Sequence, residues 1–143
     1  MPPKSYRLLC LLLAGMLTLG GCIIVVEEDD DWYHDDLHGT SWYLEVIWVH
    51  GHRHRAADQS FAISFPSERE LTGNSGCTSF TADYDLSDKS IRFDRFRTST
   101  FGCQEDEVGG MLLEYLPEAE NLQIRDERLE FTTDSGTRLV FRP

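Results

Sequence analysis

The stretch TSWYLEVIWV, residues 40–49, places an apolar side chain at every second position. Successive side chains of a β-strand point to opposite faces of its sheet, so these apolar side chains share one face. They are Trp42, Leu44, Val46 and Trp48. The segment SFAISF, residues 60–65, repeats the pattern with Phe61, Ile63 and Phe65. Both stretches predict half-buried strands.

Shorter alternations continue to the end of the chain, and clusters of turn-forming residues such as LSDKS and TDSG separate them. The apolar members are Phe80, Ala82 and Tyr84, Ile91 and Phe93, Leu122 and Ile124, Leu129 and Phe131, and Leu139 and Phe141. Closely spaced short strands are typical of antiparallel barrels and sandwiches. The predicted fold class is mainly β: a small antiparallel, barrel-like sheet of seven to eight short strands.

The segment EDEVGGMLLEYLP, residues 105–117, has a different period. Its apolar residues recur at helical spacing, acidic residues occupy the first turn where the helix dipole favours them, and Pro117 ends the run. We therefore predict one helix packed on the sheet. Gly109 and Gly110 each cost such a helix about 1 kcal/mol relative to alanine. They predict either a close approach to a strand or a frayed first turn.

The N-terminus has the pattern of an export signal. Lys4 and Arg7 precede the apolar run LLCLLLAGMLTL, which is too short to span a bilayer as a helix. The run ends in LGGC, residues 19–22, which resembles the lipobox of bacterial lipoproteins. In that motif the cysteine is acylated and becomes the first residue of the mature chain. We therefore predict a lipoprotein signal peptide at residues 1–21 and lipidation of Cys22.

The segment after Cys22 is strongly acidic. Residues 27–36 contain seven carboxylates and one imidazole, in the sequence EEDDDWYHDD. Like charges repel and extend a chain, so residues 22–38 are predicted to form a lipidated acidic tether, with residues 39–143 as the folded domain. A cation could instead be held by the five aspartates of this segment with His34 and His38, but flexible carboxylates bind divalent ions weakly. The aspartates are Asp29, Asp30, Asp31, Asp35 and Asp36.

Two cysteines remain within the predicted domain. Cys10 leaves with the signal peptide and Cys22 carries lipid, so Cys77 and Cys103 face an oxidising compartment. We predict that they form a disulfide. A reactive or metal-binding pair is disfavoured, because the CxxC spacing and a neighbouring third ligand are missing from the sequence.

The charge of the chain limits its partners. Loss of Lys4 and Arg7 with residues 1–21 changes the formal net charge from −12 to −14. Nucleic acids and anionic membrane surfaces attract the opposite sign, so the composition argues against both. The lipid, rather than the charge, would hold the protein at the membrane.

Five segments form an ordered series along the chain: LHGTSWYLEVI (37–47), LTGNSGCTSFTADY (71–84), TSTFGC (98–103), the predicted helix, and GTRLVF (136–141). Together they resemble the META domain, also called the HslJ-like domain. One departure is Thr78, where the family commonly has asparagine. The resemblance implies a small β-rich domain with one helix, often exported or lipid-anchored, and associated with heat induction, novobiocin tolerance and envelope stress. It implies no established catalytic chemistry.

Motifs for catalysis and metal binding are sparse. Ser75 in GNSGC lacks the GxSxG context of a nucleophile and is predicted to be a turn residue. Gly73 and Gly76 are predicted to adopt positive φ values near the disulfide. The cluster HGHRHR, residues 50–55, offers His50, His52 and His54 as weak zinc or copper ligands, but Arg53 and Arg55 oppose a cation, which favours a solvated hairpin loop.

The apolar residues permit two interpretations. Most aromatic side chains on core-facing registers simply pack together. An incompletely closed barrel could instead admit an acyl chain between the helix and the sheet, as in the lipid-binding cracked barrels of type III secretion pilot lipoproteins, which META domains are said to resemble. The candidate pocket residues are Trp42, Trp48, Phe61, Phe80, Tyr84 and Met111.

The favoured hypothesis is a non-enzymatic envelope lipoprotein without a cofactor, whose domain binds an envelope protein or an apolar ligand in a stress-related role. Ile23 follows the lipidated cysteine where an aspartate would favour retention in the inner membrane. In a bacterium with two membranes we therefore expect outer-membrane placement facing the periplasm. The alternatives are an inhibitor of cationic proteins such as lysozyme and a metal-handling protein that uses the histidine cluster.

Overall fold

Nine antiparallel strands form the sheet of this protein, whose computed structural model describes residues 37–143. The strands are β1 (Ser41–Val49), β2 (His52–Arg55), β3 (Phe61–Ser67), β4 (Glu70–Ser75), β5 (Thr78–Ser87), β6 (Ser90–Thr100), β7 (Ala119–Arg125), β8 (Arg128–Thr133) and β9 (Arg138–Arg142). Helix α1 (Glu107–Tyr115) and a 3-10 helix (Leu116–Glu118) lie between β6 and β7. The predicted signal peptide, the lipidation site Cys22 and nearly all of the tether lie outside the described residues.

Eight of the strands close into a barrel, which confirms the predicted fold class. Their order is β1-β3-β4-β5-β6-β7-β8-β9, and β9 pairs back with β1. The ninth strand, β2, was predicted as a hairpin loop, and that prediction is wrong. Strand β3 pairs only with Ser41–Tyr43 of β1, so the same edge of β1 is free further along and β2 pairs there with Val46–Val49. β2 thereby supplies backbone hydrogen-bond partners to the part of β1 that β3 leaves unpaired.

A β-bulge in β1 changes which side chains face the interior. Against β9, Leu44 pairs with Phe141 but Val46 pairs with Val140, so β1 carries one extra residue at Glu45. Such an insertion shifts the alternation by one position. Ile47 is therefore fully buried in the core, whereas Trp48 lies on the outer surface. The prediction that Val46 and Trp48 continue the inward face of β1 is wrong for this reason.

The barrel interior is filled by close-packed side chains from all eight barrel strands, from the two helical segments and from Leu37 before β1. The largest fully buried ones are Phe65, Phe80, Phe131, Phe141, Leu37, Ile47, Ile63, Leu71, Leu112, Leu116, Leu122 and Leu129. Aromatic rings contact one another through this core: Phe131 and Phe141 meet edge to face at 5.7 Å between ring centroids. These contacts, together with the burial of apolar area, supply most of the stabilisation of a domain of this size.

Helix α1 packs on β4 and β1 through Leu112, and Leu116 in the following 3-10 turn is also fully buried. Asp106 caps its N-terminus, because the carboxylate Oδ1 accepts a hydrogen bond of 2.7 Å from the Gly109 backbone N–H. A Cβ atom at Gly109 would collide with the backbone carbonyl oxygen of Ser75, so the predicted close approach to a strand is observed at this residue. Gly110 faces open space. Within residues 37–143, no helix has the length and apolarity needed to cross a membrane.

Candidate functional site

A surface cleft of about 810 Å³ opens where β6 and β7 separate. The two strands share one residue pair, Ser90 with Asn121, supported by a hydrogen bond of 2.8 Å from the Leu122 N–H to the Lys89 carbonyl oxygen. Beyond this pair, β6 continues alongside β5 as far as Thr100. The barrel is therefore joined at this seam by the start of β6 only.

Local sequence explains why the two strands part. The 3-10 helix Leu116–Glu118 runs directly into β7, and its Pro117 has no N–H to offer a strand partner. On the other side, β6 contains an extra residue opposite Ala82, and Arg95 there has a φ of 50°. A bulge with a residue in this conformation increases the twist of its strand.

The floor of the cleft is apolar and its rim is charged. The partly exposed side chains of Leu86 and Phe93 supply this apolar surface, while Ile91 and Ala119 lie beneath it and are almost fully buried. Phe93 is only half-buried, although it contacts Tyr84 and Phe131 of the core. Asp85 and Arg92 lie on the rim, with their charged groups 3.8 Å apart, and Glu118 and Glu120 lie opposite. The cleft thus offers apolar contact between two sets of charged side chains.

The remaining length of β6 is an open edge. Among the described residues, Ile91–Thr100 have no strand partner on the side away from β5. Open edges of natural sheets commonly carry charges and bulges that hinder uncontrolled pairing, and β6 has both in the sequence SIRFDRFRTST. This site was not predicted from the sequence, although the charges scattered through that strand are the signal that indicates an edge.

A second group of interacting residues surrounds the disulfide. Cys77, just before β5, is bonded to Cys103, just after β6, with Cα atoms 5.4 Å apart. Ser75 is fully buried at the end of β4, and its hydroxyl donates a hydrogen bond of 2.8 Å to Oε2 of Glu105. Among the described residues, the hydrogen-bond acceptors near this hydroxyl are that carboxylate and the Thr78 carbonyl oxygen at 3.1 Å, and neither is a histidine. This arrangement ties β4 to the segment that precedes α1.

The glycines near the disulfide have different roles. Gly76 has a φ of +100°, as predicted. The same prediction for Gly73 is wrong, since its φ is not positive. The ring of Phe80 lies across Gly73 instead, and a Cβ atom would collide with that ring. Gly73 is therefore required by side-chain packing between β4 and β5.

Removal of the Ser75 hydroxyl should have a moderate effect on stability. Ser75→Ala leaves Glu105 without its closest hydrogen-bond donor, so we expect the free energy of unfolding to fall by about 1 kcal/mol. Ser79→Ala is the matched control, since that hydroxyl is exposed and 3.4 Å from its acceptor, the Ser99 carbonyl oxygen. Urea denaturation of the two variants measures the difference. Equal loss in both variants would contradict the structural role of Ser75.

The three candidate histidines do not converge. His50 lies in the turn after β1 with a φ of 49°, while His52 and His54 lie on β2. Nδ1 of His54 is 3.4 Å from Oε1 of Glu107 on α1, which directs that imidazole towards the helix. No group of three histidine, cysteine, aspartate or glutamate side chains within residues 37–143 is placed to hold a metal ion.

The candidate pocket residues are distributed between the core and the surface. Trp42, Phe61, Phe80 and Tyr84 are buried in the core, and Met111 packs against it from α1. Burial raises the pKa of the Tyr84 phenol, whose hydroxyl donates to the Ser67 carbonyl oxygen at 3.2 Å. Trp48 lies outside the barrel because of the bulge at Glu45, so it does not join the others.

The chain is similar to known proteins in sequence pattern and in fold. The META domain matches residues 35–143. A protein from Burkholderia xenovorans, solved by NMR, has 22% identity and a TM-score of 0.60 over 78% of this chain and 86% of its own. A DUF4847 family protein from Bacteroides vulgatus has 11% identity and a TM-score of 0.57 over 77% and 96%. No curated protein matches the chain. The fold is thus shared at low identity, and the chain belongs to the META domain family.

Proposed function

We propose that this protein is a non-enzymatic binding protein of the bacterial envelope, and that its META domain holds an extended segment of an envelope protein along the open edge of β6. The observation that supports the proposal is the separation of β6 from β7. It leaves the backbone of Ile91–Thr100 without a strand partner beside a cleft of about 810 Å³. An extended peptide can add a strand to such an edge through main-chain hydrogen bonds.

The side chains of the cleft suit a peptide of mixed character. Alternate side chains of an added strand point to opposite faces of the sheet. One set could contact the half-buried ring of Phe93 on the floor, while the other set could meet the charges of Arg92 and Glu118. Backbone pairing would supply affinity, and these side chains would supply specificity.

The cellular setting of the proposal rests on the N-terminal sequence. Lipidation of Cys22 would anchor the chain, and residues 22–38 would let the domain stand away from the bilayer. Ile23 favours the periplasmic face of the outer membrane where the bacterium has two membranes. The META resemblance supports a role in envelope maintenance under stress rather than a catalytic one.

Site-specific crosslinking in intact cells tests the binding surface. We expect a photoreactive residue at Arg92, on the rim of the cleft, to form one dominant adduct with an envelope protein. The matched position is Gln59, which is exposed in the loop between β2 and β3, on the side of the barrel opposite the β6–β7 seam in strand order. Adducts that form equally at both positions, or at Gln59 alone, would overturn the proposed surface.

Membrane fractionation tests the anchor separately. The parent chain should have the mass of a lipid-modified chain that begins at Cys22. It should also sediment with membranes, because the two or three acyl chains of a lipoprotein cysteine are enough for stable anchoring. The Cys22→Ser variant should lose both properties. Parent protein that retains an unmodified N-terminus would refute the anchor while leaving the crosslinking result unaffected.

A further inference from the structure

Four arginines gather around Trp48 on the outer surface of the barrel, and we call this surface the arginine face. It is formed by Arg53 and Arg55 of β2, Arg128 of β8 and Arg138 of β9, with Trp48 and Val46 of β1 and Val140 of β9 between them. Four neighbouring strands, in the order β2-β1-β9-β8, place these side chains on one face. Trp48 is the direct cross-strand partner of Arg53 on one side and of Arg138 on the other.

The arginine side chains of this face pack against apolar side chains. The guanidinium carbons of Arg53 and Arg138 each lie 5.9 Å from the centroid of a Trp48 ring, within the range of cation–π attraction. Val46 and Val140 point away from the core, yet only 8% and 6% of their surface is exposed. Arginine stems commonly cover apolar surface in this way while their charged ends stay in water.

The charge of the arginine face is opposite to that of the whole chain. Two of its arginines pair with carboxylates: Nε of Arg128 is 2.9 Å from Oε2 of Glu45, and Nε of Arg138 is 3.2 Å from Oε1 of Glu130. Within residues 37–143, Arg53 and Arg55 pair with no carboxylate. A local charge of +2 thus lies on a chain whose formal net charge is −12. At physiological ionic strength charges are screened beyond about 8 Å, so a close ligand responds mainly to this local charge.

We propose that the arginine face lies against the phosphate groups of anionic lipid headgroups and orients the anchored domain on the membrane. The inference rests on the proposed lipidation of Cys22, which keeps the bilayer within reach of a weakly attracting surface. Arg53 and Arg55 are two positions apart on β2, about 7 Å, so they suit an array of negative groups better than a single one. A tryptophan among these arginines is also typical of a surface at a membrane interface.

The position of the arginine face agrees with the proposed binding surface. Around the eight-stranded barrel, β1 and β9 lie opposite β5 and β6. A domain that rests on lipid through the arginine face therefore turns the open edge of β6 away from the bilayer. The partner segment could then reach that edge from the aqueous compartment.

Fluorescence quenching of the lipidated full-length protein in vesicles tests the orientation. Trp42 is buried, and a Trp32→Phe background removes the tether tryptophan, so Trp48 reports contact with brominated lipid. We expect phosphatidylglycerol in phosphatidylcholine vesicles to increase quenching at least about twofold, since each arginine near an anionic surface adds about fivefold to surface binding. Arg53→Glu with Arg55→Glu should return quenching to the level in neutral vesicles.

The control variant carries the same change in net charge elsewhere. Arg69→Glu with Arg97→Glu, both at exposed positions, should keep the increase. Arg53→Gln with Arg55→Gln provides a milder test, and thermal unfolding verifies that each variant is folded. If Trp48 quenching does not change with phosphatidylglycerol content while the protein stays bound to the vesicles, the inference is overturned but the lipid anchor is not. Loss of the increase on addition of inorganic phosphate, but not of sodium chloride at equal ionic strength, would also overturn it, because a single phosphate would then be the ligand.

Discussion

Removing the disulfide is expected to cause the largest loss of stability from any surface change in this domain. Cys77→Ser with Cys103→Ser opens a loop with a sequence separation of 26. The chain-entropy relation for such a loop gives a loss of about 3.5 kcal/mol in the free energy of unfolding. Urea denaturation of the oxidised parent and of the double variant measures this difference, and the reduced parent should match the variant.

The loss should be concentrated in β6. Thr78 pairs with Thr100 at the end of the β5–β6 hairpin, so the bond between Cys77 and Cys103 closes that end. β6 has only β5 beside it over most of its length, and a strand held on one side opens more readily than one paired on both. Hydrogen exchange should therefore increase in β6 more than in β8, which is paired on both sides. An equal increase of hydrogen exchange in β6 and β8 would contradict this account of the hairpin.

The regular strands could be predicted because one of their faces is buried. In β3 and β8 the alternating apolar residues fill the core, so the period of two is visible in the sequence. Helix α1 was predicted for the same kind of reason: its acidic first turn and Pro117 define its ends. These features depend on residues that are close in sequence, so local sequence patterns are enough to predict them.

The features that were missed depend on pairing between distant segments. The extra residue at Glu45 is defined only against β9, and without it Trp48 appears to continue the inward face. β2 forms because β3 leaves part of β1 unpaired, which the sequence HRHR does not indicate. The cleft likewise requires β6 and β7 to diverge in space, although the charges of β6 hint at an edge.

The arginine face could not be predicted from the sequence for the same reason. The composition gives a net charge of −12 and argues against anionic surfaces. Arg128 and Arg138 are far in sequence from Arg53 and Arg55. Only the pairing of β1 with β2 and β9, and of β9 with β8, brings them to one face. A net charge describes long-range repulsion, whereas contact depends on which residues meet at a surface.

Adjacent glycines in α1 should respond to alanine in opposite directions. Gly109→Ala places a Cβ atom against the Ser75 backbone carbonyl oxygen and the Glu105 side chain. A backbone atom in a barrel strand cannot move as a side chain can, so the helix itself must shift away from β4. We expect the free energy of unfolding to fall by about 2–3 kcal/mol, as for other overpacked sites.

Gly110→Ala is the matched control one residue further along the same helix. Its Cβ atom would meet nothing within 4 Å and its backbone φ is in the ordinary negative range, so the substitution should stabilise the helix by about 0.5–1 kcal/mol. Thermal and urea unfolding of the two variants should then differ by about 3 kcal/mol, with opposite signs relative to the parent. If Gly109→Ala also proved stabilising, α1 would not pack against β4 at the distance described here, and glycine at this position would serve only to loosen the first turn.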